Sequence, residues 1–207
     1  MQDLMDNVGL FMRACGQPTS SFIRDPSPAE VDLRIRLIDE EVNIELIPAL
    51  KKRDIVGIAD GAADAIYVIL GTALTYGERP DECWWNTSME HMFQKQSYKT
   101  LLSVRWHDRV STAVNGGLLP LLRGKLQNRR VSVLASTIQV SLAIISSAAM
   151  SHGIPMRQVW DEVQRTNVTK IQADGKVLKN EFGKVMKPAG WTKPDIEGIL
   201  RTYGVIT

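Results

Sequence analysis

The sequence predicts an all-α helical bundle built from two related helical hairpins, the second degenerate, with a basic C-terminal arm. Three observations predict it. Apolar residues recur at helical spacing, and no run sustains period-two alternation before the C-terminal tail. Capping residues bracket the long apolar segments, and one helix pair returns later in the chain at a nearly constant offset. With 207 residues and 44% hydrophobic content, the chain can bury one full core.

The elements follow in order. "MQDLMDNVGLFMRACGQP" reads as a short amphipathic helix. It lacks the basic start and continuous apolar run of a secretory signal, so a cytoplasmic location is expected. Ser27, Pro28, Ala29 and Glu30 form a capping box with proline at the first helical position, opening "PAEVDLRIRLIDEEVNIELIPAL". Leu33, Leu37, Ile44 and Ile47 are its expected apolar stripe. Asp54 caps the next helix, "IVGIADGAADAIYVILGTALTYG", which stops at Gly77 in a left-handed terminal position. These two helices make a hairpin, and residues 1–82 form the first half of a single domain.

"ERPDECWWNTS" is a loop in which Asn86 to Ser88 offer helix caps, and a second helical region covers 88–153. Within it, "VSVLASTIQVSLAIISSAAM" carries no charge over a length that could span a bilayer. Its seven Ser, Thr and Gln residues and its lack of an aromatic belt instead predict a helix buried on nearly all sides of a soluble bundle. The tail, 154–207, mixes Lys, Gly and Pro, which suggests an extended arm or small hairpin, then a short helix from about Pro194.

Composition excludes several functions. A formal net charge of +2 gives no general pull toward nucleic acid or an anionic membrane, so neither is expected as a partner. Cys15 and Cys83 are the only cysteines, far apart, which argues for a reducing compartment and against zinc. His91, His107 and His152 show no ligand spacing. No phosphate-loop pattern surrounds Gly175 or Gly183. Trp84, Trp85, Trp106, Trp160 and Trp191 are expected as core or interface anchors.

The internal repeat is specific. "NIELIPALK" at 43–51 matches "NGGLLPLLR" at 115–123, with Asn, Leu, Pro and Leu identical at an offset of 72. An offset of 76 then aligns "RDIVGIADGAADAIYVILGTALTYG" with "RRVSVLASTIQVSLAIISSAAMSHG". Glu40, Glu41, Glu45, Asp60 and Asp64 of the first copy correspond to Thr112, Ala113, Gly117, Ser136 and Val140 of the second. The apolar pattern persists while every acid is lost, so the first copy carries the chemistry.

Glu41 and Glu45 lie one helical turn apart, as do Asp60 and Asp64, and antiparallel packing of their helices brings the two pairs together. Carboxylates facing one another in a bundle repel and are costly to desolvate unless a cation compensates them. Mg²⁺ suits an all-oxygen set that also bridges to phosphates, with Mn²⁺ as a substitute. Asp64, between "GAA" and "AIYVIL", belongs in a core where an unpaired carboxylate is rare.

The order "LIDEEVNIEL", "IADGAADAIYVILGTALTYG", "VWDEVQRTNVTKI" and "GKVMKP" resembles the MazG-like all-α nucleoside triphosphate pyrophosphatases, especially phage-type, phosphoribosyl-ATP-pyrophosphatase-like members, over residues 1–80 and 150–195. The resemblance implies a Mg²⁺-dependent hydrolase of nucleotide metabolism that acts on a small-molecule nucleotide, cleaving a (d)NTP to a (d)NMP and pyrophosphate. The family's first acidic motif falls on Glu40, Glu41 and Glu45, the last one position late. Its second motif ends at Asp64, but its Glu position is Gly61 here, with Asp60 as the nearby substitute. Metal binding by these five acids, and a water-orienting role for Glu41, are carried over from that match. Arg165, Asn167 and Lys170 of "RTNVTK", with Lys184 and Lys187 of "GKVMKP", carry over as nucleotide or phosphate contacts.

Because relatives commonly dimerise through such hairpins, the acid-free copy, residues 88–152, reads as a built-in partner. Self-association through Trp84 and Trp85 is the other arrangement. Two other functions fit the same residues: a non-catalytic nucleotide-binding protein whose site decayed at Gly61, and a dUTPase-like diphosphatase.

Overall fold

A computed structural model of the chain describes residues 2–80, 104–124, 131–181 and 185–207. Cys83, Trp84, Trp85, the Asn86–Ser88 caps and Lys184 lie outside the described residues. Those residues form seven helices: α1 (Gln2–Ala14), α2 (Pro28–Ile38, continued through Asp39–Leu46 and Ile47–Lys52), α3 (Ile55–Tyr76), α4 (Trp106–Ala113, continued through Val114–Leu118 and Leu119–Arg123), α5 (Val131–Ser151), α6 (Met156–Val168) and α7 (Ile196–Thr202). No strand occurs among them. The tail makes two isolated antiparallel bridges, Ile171 with Val177 and Lys179 with Val185, the remnant of the expected hairpin.

α3 is the axis of the bundle, and α1, α2, α5, α6 and α7 all pack on it. Its ends are set locally. Asp54 accepts a hydrogen bond from the Gly57 amide at 3.1 Å, and Gly77 closes the helix at φ 75°. A side chain at Gly77 would overlap the Phe22 carbonyl, so the loop before α2 crosses where only glycine fits. That loop is tied down by Arg24. Its guanidinium grips Glu30 and donates from Nε to the Thr75 carbonyl at 2.9 Å, while Glu30 completes the Ser27 capping box. The guanidinium holds the Glu30 carboxyl down at about 2.

α2 changes winding midway. Asp39–Leu46 is π-helical before Pro48 restarts an α-helical turn, and α4 repeats the change at Val114–Leu118 before Pro120. The change moves the buried stripe. Ile38, Val42 and Leu46 are fully buried, whereas Leu33 and Leu37 are half-buried and Ile44 is 67% exposed. Only Ile47 of the expected stripe sits in the core, because an α-helical register does not hold across a π segment.

α3 and α5 are each long and apolar enough to cross a membrane by length and composition. Here they pack against each other in the bundle. α5 is less enclosed than its sequence suggests: Leu134, Ile138, Leu142 and Ile145 face the core, but Val133 and Val140 are about half exposed along a cleft.

Candidate metal centre

The tight turn at Arg53, a non-glycine residue in left-handed conformation at φ 57°, folds α3 back along α2. The two acidic faces therefore meet. One carboxylate oxygen from each of Glu41, Glu45 and Asp64 lies within 4.8 Å of the other two. Asp60, one turn before Asp64, is half-buried beside this trio, and Glu40 is exposed at its edge. Neither belongs to the group of three, although both act on it electrostatically.

Burial and mutual repulsion dominate here. Desolvation, then Asp64 and Glu45, pushes the Glu41 carboxyl up to about 8. Desolvation, then Asp60 and Glu45, pushes Asp64 up to about 7, against the pull of Lys170. Glu45 and Asp60 are raised for the same leading reason. Four carboxyls crowded together, raised despite the pull of Lys170 on Asp64 and of Lys193 on Asp60, have the character of a divalent-cation site with an all-oxygen donor set.

The structure explains Gly61. A Cβ there would stand 3.1 Å from the Leu46 Cα and 3.2 Å from its nitrogen, so the π segment of α2 presses on α3 where a side chain would have to push the Leu46 backbone back by a few tenths of an ångström. Acids instead come from Glu45 and Asp60, on either side of that contact. Gly61→Glu is expected to lower stability by about 2–3 kcal/mol, a fall in Tm of roughly 5–10 °C, without adding a metal ligand. Thermal melts of the variant with and without Mg²⁺ check this.

The other expected site residues divide by place. Lys170 follows the end of α6, and its Nζ donates to Asn167 Oδ1 at 2.8 Å. It lies 5.8 Å from the Phe11 ring centre and 5.3 Å from that of Trp191. Burial lowers its pKa, while Asp64 and Glu41 favour its charge. Lys187 Nζ lies 4.3 Å from the same Trp191 ring. Arg165 stands on the exposed face of α6, bound through both nitrogens to Glu162 at 2.7 Å.

Three residues were missed. Trp191, expected only as an anchor, donates from Nε1 to the Thr166 carbonyl at 3.0 Å and so fixes the arm to the end of α6 between two lysines. Lys193 acts electrostatically on Asp60. The signal for both was present in "GWTKP", an aromatic among cations. Tyr67, one turn after Asp64, donates to Gln164 Oε1 at 3.1 Å and stacks on Trp160 with ring centres 5.3 Å apart. No local motif marks it.

Comparison with curated proteins and with solved structures finds no match. Residues 8–91 match the family described as phosphoribosyl-ATP pyrophosphohydrolase, a stretch that takes in most of α1, all of α2 and α3 and the acidic trio between them. Over that stretch, less than half of the chain, the protein is similar to a nucleotide pyrophosphohydrolase of the MazG-like all-α relation, and the similarity points to hydrolysis of an acid anhydride in a small nucleotide substrate.

Proposed function

We propose that the chain is a divalent-metal-dependent nucleotide pyrophosphohydrolase that splits a (d)NTP between its α- and β-phosphates, giving a (d)NMP and pyrophosphate. The observation that carries this reading is the convergence of Glu41, Glu45 and Asp64 on the two helices that match the pyrophosphohydrolase family. These three would hold Mg²⁺, with Asp60 and Glu40 alongside. When bound, the ion supplies Lewis-acid polarisation of the phosphate oxygens and a water of lowered pKa.

The chain's own residues do the rest. Glu41, carried over from the family's first acidic motif, orients the attacking water. Lys170, Lys187 and Lys193 supply positive charge to the phosphates and to the departing pyrophosphate. Asn167 and Trp191 hold two of these lysines in place. Lys184 and Arg165 join the same basic set by resemblance.

The test is a panel of the eight common NTPs and dNTPs, with phosphoribosyl-ATP added, assayed for pyrophosphate release with and without Mg²⁺. Release from at least one member, only with metal, is expected. Metal binding with no release from any member would favour a nucleotide-binding protein that has lost catalysis. Strong preference for dUTP would favour a dUTPase-like diphosphatase.

A further inference from the structure

The half of the molecule that carries no acids repeats the acidic half in detail. α2 and α4 both pass from α-helix to π-helix and then to a proline-led α-helical turn, with Pro48 and Pro120 separated by the repeat offset of 72. π-helix is well under 1% of residues in globular proteins, so two segments at matched positions are not an accident of packing. α3 is closed by Gly77 at φ 75°, and Gly153 at φ 76° stands in the turn just after α5, both in left-handed conformation and separated by the second offset of 76.

The decisive contact is between Asn43 and Asn115, which are each other's counterparts. Asn43 Nδ2 donates to Asn115 Oδ1 at 3.0 Å, and Asn115 Nδ2 donates back to Asn43 Oδ1 at 2.8 Å. Each also binds the side chain four residues earlier on its own helix, Asp39 for Asn43 at 2.7 Å and Ser111 for Asn115 at 3.1 Å, again counterparts. Equivalent residues that pair with each other lie on a two-fold axis, as in an isologous dimer interface.

The same correspondence identifies the cleft of about 380 Å³ beside α5, lined by Ala113, Gly117, Val133, Ser136, Thr137 and Val140. Their counterparts are Glu41, Glu45, Gly57, Asp60, Gly61 and Asp64. All but Val133 map onto the acids of the metal centre or onto Gly61 between them; Val133 maps onto Gly57, in the first turn of α3. The cleft is the space left when the carboxylates are cut back to Ala, Gly, Ser and Val.

We infer that the chain is a dimer within one polypeptide, in which α4 and α5 take the place of a second copy of α2 and α3 about an axis through the Asn43–Asn115 pair, and that the cleft is a second metal site stripped of its ligands but retaining its backbone. One site per molecule then carries metal. The basic arm follows the same asymmetry: Lys170 acts on Asp64 and Lys193 on Asp60 of the first site, whereas Val133 and Val140 lie half exposed at the second. This inference rests on the metal-site reading of Glu41, Glu45 and Asp64.

The test returns the ligands. Ala113→Glu/Gly117→Glu/Val140→Asp places acids at the counterparts of the trio. A Cβ at Gly117 would meet Thr137 Cγ2 at 3.3 Å, a flexible side-chain contact that yields by a few tenths of an ångström. Mn²⁺ binding is counted by electron paramagnetic resonance in the full-length chain, in the native background and with Asp64→Asn. One additional Mn²⁺ in the native background is expected. With Asp64→Asn, the graft should restore Mn²⁺ binding without pyrophosphate release, because the lysine arm covers only the first site. If the triple graft does not fold, Ala113→Glu/Val140→Asp, which fills only the open cleft, gives the same count at weaker affinity. A native chain that binds Mn²⁺ and a folded graft that adds none would overturn the inference. A native chain that binds no Mn²⁺ would instead remove the reading of the first site, and the graft count would still decide this one.

Discussion

Asp64→Asn is expected to cut pyrophosphate release by roughly 10³-fold or more while leaving the fold intact and making the metal-free protein more stable near pH 8. The two effects have one cause. Asp64 is a carboxyl enclosed among Glu41, Glu45 and Asp60, and desolvation with their repulsion raises it to about 7. Its ionised form is therefore held at a cost that a neutral amide of the same shape does not carry. A residue that only held the bundle together would behave in the opposite way, with stability and activity falling together. Thermal melts and steady-state rates of the variant, with and without Mg²⁺, separate the two cases. In the variant Mg²⁺ should no longer raise Tm.

The second large effect is a stabilisation by metal that grows with pH. Glu41 and Asp64 titrate at about 8 and about 7 in the fold, above their ordinary values of 4.5 and 3.8. Below about pH 3 these carboxyls are protonated in folded and unfolded chains alike, and their burial costs little. As pH rises toward 8 the unfolded chain ionises them freely, whereas the folded, metal-free protein must ionise them against desolvation and repulsion. Its stability therefore falls across that window. A bound divalent ion removes the penalty, and saturation at about 100 times Kd adds about 2.7 kcal/mol, or roughly 5–10 °C in Tm for a chain of this length. Mg²⁺ is thus expected to raise Tm by that amount at pH 8 and by less than about 2 °C at pH 5.5, where protons compete for the same oxygens. An increment independent of pH would place metal binding elsewhere.

Much of this was legible because local chemistry wrote it. Asp54 and Gly77 bracket α3 in the sequence and do so in the fold, and the Ser27 box opens α2 as its residues require. The acid pairs were visible as helix-spaced carboxylates in apolar surroundings, and Glu41, Glu45 and Asp64 do converge. The π segment was not legible, since nothing in "DEEVNIEL" distinguishes it from α-helix and its winding is decided by packing against α3. That one change explains why Ile44 points outward and why the stripe shifts to Ile38, Val42 and Leu46. Gly61 looked like a lost ligand. Its cause, the Leu46 backbone 3.1 Å from where a Cβ would sit, exists only once two helices are in contact. Lys193 and Trp191 had a signal in "GWTKP", but that stretch does not say where the arm runs: Trp191 sets its place by donating to the Thr166 carbonyl, a tertiary contact.

The repeat shows how far pattern alone reaches. Its offsets of 72 and 76 were readable, but the two-fold relation depends on Asn43 and Asn115 touching, which no alignment supplies. The exposed face of α5 has the same origin. Val133 and Val140 looked like core residues in a chargeless helix, but both line the open cleft, Val140 at the counterpart of Asp64.

The central claim, that the acids of the first hairpin hold a divalent cation at the place where a nucleotide is split, is tested most directly by crystals of the full chain soaked in Mn²⁺ with a non-hydrolysable triphosphate analogue. Anomalous scattering should show manganese bonded to oxygens of Glu41, Glu45 and Asp64, with the analogue's phosphates reaching toward Lys170 and Lys187. Manganese absent from that trio in a crystal whose analogue is bound elsewhere would contradict the account.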